Sequence, residues 1–280
     1  MPDEGSHPGS SRSSRGRDLR IRIITGLLLA GLVLGTLFSS HFAWISVVTV
    51  AVLIAQLELY RAFENAGYGP AAGLGLAGGA VLLIGSYIGG EAALGFALAM
   101  SVAAAFLWFL ADPKRTDAAE RIATTLLGIL YVPFLGAHVV LMRDLPSGPA
   151  VTACYVGIVA FYDIGAYAAG SMIGRHPMAP SVSPKKSWEG AAAGSLFILI
   201  IALGAGPFIG PFTVVTAAGL AMITAVVAPI GDLAESLIKR DLSIKDMGSI
   251  LPGHGGLLDR IDALLFMAPA VYWYLRAAVF

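Results

Sequence analysis

The stretch GLAMITAVVAPIGDLAESLIKRDLSIKDMGSILPGHGGLLDRIDALLFMAPAVYWY, Gly219 to Tyr274, sets two long apolar runs on either side of a charged, glycine-rich segment. The apolar runs have the length and composition of membrane helices, which need about twenty predominantly apolar residues. Between them, Lys239 to Asp262 concentrates acidic and basic side chains that are scarce elsewhere in the chain. A proline and three glycines surround His254 in PGHGG, so the middle of this segment is not ordinary helix. It reads as a loop built to hold something, framed by two helices in lipid.

The whole composition agrees. Of 280 residues, 57% are hydrophobic and 13% charged, with a mean hydropathy of +0.78, whereas soluble domains carry roughly a quarter charged residues. Lipid is therefore the expected solvent for most of the chain, and the expected fold class is all-α, a polytopic integral membrane protein. The formal net charge of +0 says nothing about partners, because the distribution of charge matters more than the total. The single cysteine, Cys154, excludes an intramolecular disulfide and a cysteine-based metal cluster. In its apolar run it reads as a small buried side chain.

Apolar segments of spanning length fall near 23–39, 42–58, 70–88, 91–111, 120–142, 150–171, 190–208, 212–236 and 260–279, which makes about nine helices. The third, within GPAAGLGLAGGAVLLIGSYIGG, is rich in the small residues that suit close helix packing in membranes. Residues 1–22, rich in Ser, Gly and Arg without a hydrophobic period, are expected to be a disordered basic tail. They are not read as a cleaved signal peptide, because no convincing small-residue cleavage site follows and further apolar segments come soon after. Residues 23–150 then form an N-terminal set of membrane helices, and 151–280 a second region carrying the polar loops 172–189 and 239–259.

Basic residues test this division. With the tail cytoplasmic, nine crossings put Arg12, Arg15, Arg17, Arg20, Arg22, Arg61, Lys114, Arg115, Arg121, Arg175, Lys185, Lys186, Lys239, Arg240, Lys245 and Arg260 on the cytoplasmic side. Of the 18 Lys and Arg, only Arg143 and Arg276 lie opposite. So strong a bias is the positive-inside pattern, and it places both polar loops in the cytoplasm, where nucleotides are.

Several charges lie in or at the ends of helices. Asp232, Glu235, Ser236 and Lys239 are spaced i, i+3, i+4 and i+7, so they share one face of the eighth helix. A carboxylate at mid-helix in lipid costs on the order of 3 kcal/mol, so such a stripe faces water or a partner. A structural ion pair near the membrane edge is the plainer reading. Asp259 and Asp262, also i and i+3, are expected to present carboxylates together at the start of the ninth helix. Asp163 lies inside the apolar run of the sixth, with Tyr167 and Gly170 on its face; a hydrogen-bonded buried aspartate competes there with a functional one. Carboxylates near basic loops suit Mg²⁺, which takes one or two protein carboxylates and leaves its other positions to water and phosphates. In SPKKSWEG, Lys185 and Lys186 precede a helix whose N-terminus itself attracts anions. Alone, such lysines are more often topology signals or headgroup contacts.

Taken together, these residues resemble a known family. Ser236 to Asp262, SLIKRDLSIKDMGSILPGHGGLLDRID, is similar to the signature of the phosphatidate cytidylyltransferases, or CDP-diacylglycerol synthases: S-x-x-K-R, four residues, K-D-x-G, then P-G-H-G-G-x-x-D-R-x-D. Every fixed position is met. The resemblance continues upstream through DIGAYAAGSMIGRHPMAPSVSPKKSWEG, where Ser187 stands in place of the usual Thr and keeps the hydroxyl. Ala263 follows Asp262 where many members carry Ser. The likeness is clear over 160–265; the first 150 residues match only in being helical and apolar.

The resemblance implies a reaction in which phosphatidate attacks the α-phosphorus of CTP, giving CDP-diacylglycerol and pyrophosphate for phospholipid synthesis. It implies Mg²⁺, with two cation sites and the second ion unidentified. Asp232 and Asp259 are then the principal metal ligands, supported by Asp262 and Asp163, and Lys239, Arg240, Lys185 and Lys186 hold phosphates. Ser236 hydrogen-bonds a phosphate or a ligand carboxylate. His254 does likewise or fixes its loop, and Arg260 clamps a phosphate or partners Asp259. The expected partners are CTP, phosphatidate and the lipid bilayer, with a homodimer as the candidate assembly and no nucleic acid. The expected location is a bacterial inner membrane, with N-terminus and site cytoplasmic and C-terminus outside. Three rival readings stand beside this one: an ion-coupled secondary transporter, a non-catalytic membrane scaffold, and a related CTP-dependent transferase acting on another lipid phosphate.

Overall fold

The computed structural model describes the backbone of residues 10–112, 116–250 and 255–280, and the side chains among them from residue 24 onward. The described chain is almost wholly helical. Helices α1 (Ser10–Phe38), α2 (His41–Asn65) and α3 (Ala72–Leu110) are followed by α4 (Ala118–Ile129) and α5 (Leu135–Arg143). Then come α6 (Gly148–Ile173), strands β1 (Pro177–Ala179) and β2 (Ser183–Ser187), α7 (Trp188–Ala205), α8 (Val214–Asp241) and α9 (Leu258–Tyr274). Six of these segments are long and apolar enough to cross a membrane, with α4 and α5 acting as one span and α3 counted whole. Helix α1 begins at Ser10, inside the segment expected to be a disordered tail. Its arginines and serines extend the register of the apolar run behind them, and straight-chain basic residues are good helix formers.

Two local breaks shape the bundle. Within α3, Gly89 (φ −131°, ψ 15°) and Gly90 (φ 62°, ψ −147°) leave helical geometry, and the second conformation is open essentially to glycine alone. The chain folds back there into two antiparallel arms. A Cβ on Gly85 would lie 3.7 Å from the Ala93 carbonyl, and one on Gly78 would lie 3.0 Å from Ser101 Oγ. The division into separate apolar segments on either side of these glycines is thus met. Between α4 and α5, a π-turn over Leu130–Phe134 contains Pro133, whose missing N–H the wider turn accommodates.

The two ends of the bundle are held differently. At one end, Arg143 Nε donates to the Leu37 carbonyl at 3.1 Å, His41 Nε2 lies 3.2 Å from Asp144 Oδ1, and the His41 ring meets Tyr87 edge-on. Arg276 pairs with Glu91 at 3.1 Å, and Tyr272 donates to the same carboxylate. At the other end, Arg121 joins Asp112 at 2.7 Å and the Gly69 carbonyl at 3.0 Å. Inside α2, α3 and α4, Gln56 Nε2 donates to the Gly75 carbonyl at 2.9 Å and Tyr60 to the Thr125 carbonyl at 2.8 Å. These bonds satisfy polar groups that lipid could not. Helices α6 to α9 pack in sequence beside this set.

Gly90→Ala should lower the thermal unfolding midpoint of the detergent-solubilised protein by the equivalent of about 1–3 kcal/mol, because its backbone conformation is strained for any L-residue. Gly95→Ala, in the second arm with nothing within 4 Å of an added Cβ, should be neutral or slightly stabilising. Equal effects would show that the fold-back at Gly90 is not what the arms depend on.

Candidate active site

Helix α8 carries Asp232, Glu235, Ser236 and Lys239 on one face, and the structure divides their surroundings into two clusters. The first opens onto a cavity of about 720 Å³ lined by Tyr162, Asp163, Lys185, Lys186, Pro229 and Asp232, among others. Lys186 Nζ lies 2.5 Å from Asp232 Oδ2. Asp163 is exposed to the cavity, within electrostatic reach of both. The walls are set by local chemistry. Strands β1 and β2 pair antiparallel, so SPKK is extended rather than loop and brings both lysines to the cavity. Ser187 then caps α7, its Oγ accepting the Gly190 N–H at 3.2 Å, which is why a hydroxyl suffices at that position. Glu189 closes the segment by accepting the N–H groups of Arg175 and His176 at 3.1 and 3.2 Å and meeting His176 Nδ1 at 2.5 Å.

The second cluster is drier. Lys239 Nζ stands 2.7 Å from Glu235 Oε2 and 2.8 Å from Asp259 Oδ1, and the three side chains are 15%, 1% and 3% exposed. The other oxygen of Asp259 accepts the N–H groups of Met247 and Gly256, both at 2.9 Å. Asp259 therefore gathers the two ends of the polar loop. Asp262 is buried and adjoins Glu235. Arg240 Nε donates to the Val182 carbonyl at 3.0 Å, pinning the β1–β2 turn to the end of α8.

The structure thus brings Asp163, Lys185, Lys186 and Asp232 together, and beside them Glu235, Lys239, Asp259 and Asp262, the last within electrostatic reach of Asp232 as well as Glu235. Ser236 lies one turn beyond Asp232, half-buried. Arg260 is exposed in the first turn of α9. His254 lies outside the described residues. Asp259 and Asp262 both face Glu235 of α8, and Asp259 in addition meets Lys239 with one oxygen and the loop N–H groups with the other.

Two residues of the N-terminal half went unread in the sequence. Glu58 of α2 is buried and accepts the Leu258 N–H at 2.9 Å. Tyr131, on the π-turn, packs edge-on against Phe266, within electrostatic reach of Glu235, Asp262, Asp232 and Asp259. Its buried hydroxyl has no partner among the described residues. A glutamate at the end of an apolar run, just before Arg61, was the available signal for the first. Nothing in the sequence distinguishes Tyr131 from an ordinary core aromatic.

Asp232 and Asp259 each meet an ammonium group, so each already sits where positive charge is held. No group of three or more His, Cys, Asp or Glu among the described residues is arranged to hold a metal by itself. The carboxylates that share the cavity, Asp163 and Asp232, number what Mg²⁺ would need beside phosphate and water.

The sequence profile of the cytidylyltransferase family matches residues 20–278. A protein of Mycobacterium bovis named phosphatidate cytidylyltransferase is 34% identical, over 95% of this chain and 90% of its own. One of the same name from Mycobacterium leprae is 32% identical over 94% and 92%. Another from Synechocystis is 29% identical over 90% and 95%.

The two clusters should respond differently to loss of their lysines. Lys239→Met leaves Glu235 and Asp259 buried without a counter-charge and should destabilise the protein by about 3–5 kcal/mol. Lys186→Met, in a pair that faces the cavity, should cost about 1 kcal/mol or less. Thermal unfolding in detergent measures both, and equal losses would refute the division.

Proposed function

This chain belongs to the cytidylyltransferase family, and on that footing we propose that it transfers CMP from CTP to phosphatidate. The observation that carries the reading is the cavity in which Asp163, Asp232, Lys185 and Lys186 meet, in a chain whose sequence carries every fixed position of the signature over Ser236–Asp262. A lipid phosphate oxygen attacks the α-phosphorus of CTP; the bond from that phosphorus to the β-bridging oxygen breaks, and pyrophosphate leaves with the electron pair. No enzyme nucleophile is needed, since the lipid brings its own. What the protein must do is bring two polyanions together, which the paired lysines on β2 support.

Asp232 is the carboxylate we assign to Mg²⁺, with Asp163 in support across the cavity. Mg²⁺, when bound, supplies neutralisation of phosphate charge. Lys186 then exchanges Asp232 for a CTP phosphate, and Lys185 lies beside it. Asp259 has both oxygens engaged, so we assign it to holding Lys239 and the loop rather than to the metal directly. Tyr167, Met172, Ile173 and Trp188, all exposed at this end of α6 and α7, give the lipid an apolar approach.

The same reading has the chain crossing a bacterial inner membrane nine times, with the cavity on the cytoplasmic side. The fold-back at Gly90 and the separate polar networks at the two ends support that count and alternation.

Purified protein in detergent should release pyrophosphate from CTP, in preference to ATP, GTP and UTP, only with phosphatidate and Mg²⁺ present. Asp232→Asn should lower kcat roughly a hundredfold or more, about 2.7 kcal/mol in the barrier, and raise the Mg²⁺ midpoint. Lys186→Ala should chiefly raise KM for CTP, because a phosphate contact made in ground and transition states alike contributes mostly to binding. Near-normal activity of Asp232→Asn at an unchanged Mg²⁺ midpoint would end the metal assignment. Activity with another lipid phosphate alone would redirect the substrate.

A further inference from the structure

Asp259 is one of two carboxylates that grip the polar loop. The other, Glu58, comes from α2, far away in the chain, and is 2% exposed. Its Oε2 accepts the Leu258 N–H at 2.9 Å. Its Oε1 is buried with no hydrogen-bond partner among the described residues. Both halves of the loop are shaped around it. A Cβ on Gly248 would lie 2.3 Å from Glu58 Oε1, and one on Gly256 would lie 2.8 Å from Glu58 Oε2 and 2.9 Å from Asp259 Oδ2. These glycines stand in the K-D-x-G and P-G-H-G-G parts of the signature. Here they are the only residue type that lets the backbone close onto the two carboxylates without displacing them.

A buried carboxylate with one oxygen unpartnered is costly, and leucine at the same place would avoid that cost. What glutamate gains is a grip on the backbone where the loop enters α9. The Leu258 N–H belongs to the first turn of that helix, where no intrahelical acceptor is available. Next to it, the Gly256 N–H goes to Asp259, and Asp259 in turn holds Lys239. We propose that Glu58 is a positioning residue for the site: it seats the loop ends on α2 and so sets Asp259 and Lys239 in place. The part of this that concerns turnover rests on the transferase reading; the part that concerns the loop does not.

The test uses the full chain in detergent. Lys245 is exposed in the loop, so tryptic cleavage after it, followed by mass spectrometry, reports loop opening. Glu58→Ala should accelerate that cleavage at least about tenfold and lower kcat at least about tenfold, with KM for CTP changed less than about threefold. Glu58→Gln keeps a carbonyl for the Leu258 N–H and should hold both quantities within about threefold of the parent. Gly248→Ala, whose methyl group would collide with Oε1, should mimic Glu58→Ala. The double variant should be no worse than either single one, because the collision disappears with the side chain. A glutamate that merely packs the bundle would lower the unfolding midpoint without selective cleavage at Lys245. Unchanged cleavage in Glu58→Ala, or additive losses in the double variant, would overturn the proposal. If Glu58→Ala does not fold, parent-like cleavage and turnover in Gly248→Ala would overturn it equally. A parent protein inactive on CTP and phosphatidate would refute the transferase reading and leave the proteolysis to judge the loop.

Discussion

Buried charge in an apolar bundle must be neutralised within the bundle, and the ammonium of Lys239 does this for two helices at once. It stands between Glu235, one turn back on its own helix, and Asp259 on the next. Each carboxylate alone would be expelled toward water or protonated. Because Asp259 also accepts two loop N–H groups, the ammonium indirectly sets the loop path. The α8–α9 corner is therefore organised by one cation with two anionic partners, and the wider cavity beside it keeps its own, looser pair in Lys186 and Asp232.

The helices were legible because lipid leaves the chain few choices. Apolar runs of sufficient length must be helical, and their ends fall where polar residues begin. The segments on either side of Gly89 and Gly90 show this best: the sequence separates them at YIGGE, and there the two glycines leave helical geometry. Less legible were the extended SPKK segment and the start of α1. The first depends on β1 pairing with β2 and on Arg240 reaching Val182, contacts that no local pattern announces. The second shows that an arginine-rich segment without hydrophobic period still continues a helix already nucleated behind it.

In the site, helical spacing was a good guide to which side chains meet, and a poor one to what else each of them holds. Asp232, Glu235, Ser236 and Lys239 share a face because helical geometry requires it. Asp259 and Asp262 have the same three-residue spacing and share Glu235, yet only Asp259 also holds the loop, since it sits where the loop supplies free N–H groups. Glu58 was passed over for another reason. Its partners are tertiary, and at the end of an apolar run a glutamate looks like a boundary marker. The glycine signature was easy to see, but the carboxylate whose bulk it accommodates lies outside that signature, in α2.

The Glu58 contact also has a bearing on how the protein is made. Its hydrogen-bond partner, Leu258, follows it by 200 residues, so a ribosome adding roughly 5–20 residues per second needs about 10–40 seconds to supply it. Throughout that interval α2 is in the membrane with a carboxylate that has no socket. The side chain lies in the last two turns of α2, which ends at Asn65, close enough to the interface for water to solvate it while it waits. Biogenesis thus limits how deep such a clamp can lie: moved to mid-helix, the same glutamate would have to enter the bilayer unpaired, long before the loop that justifies it exists.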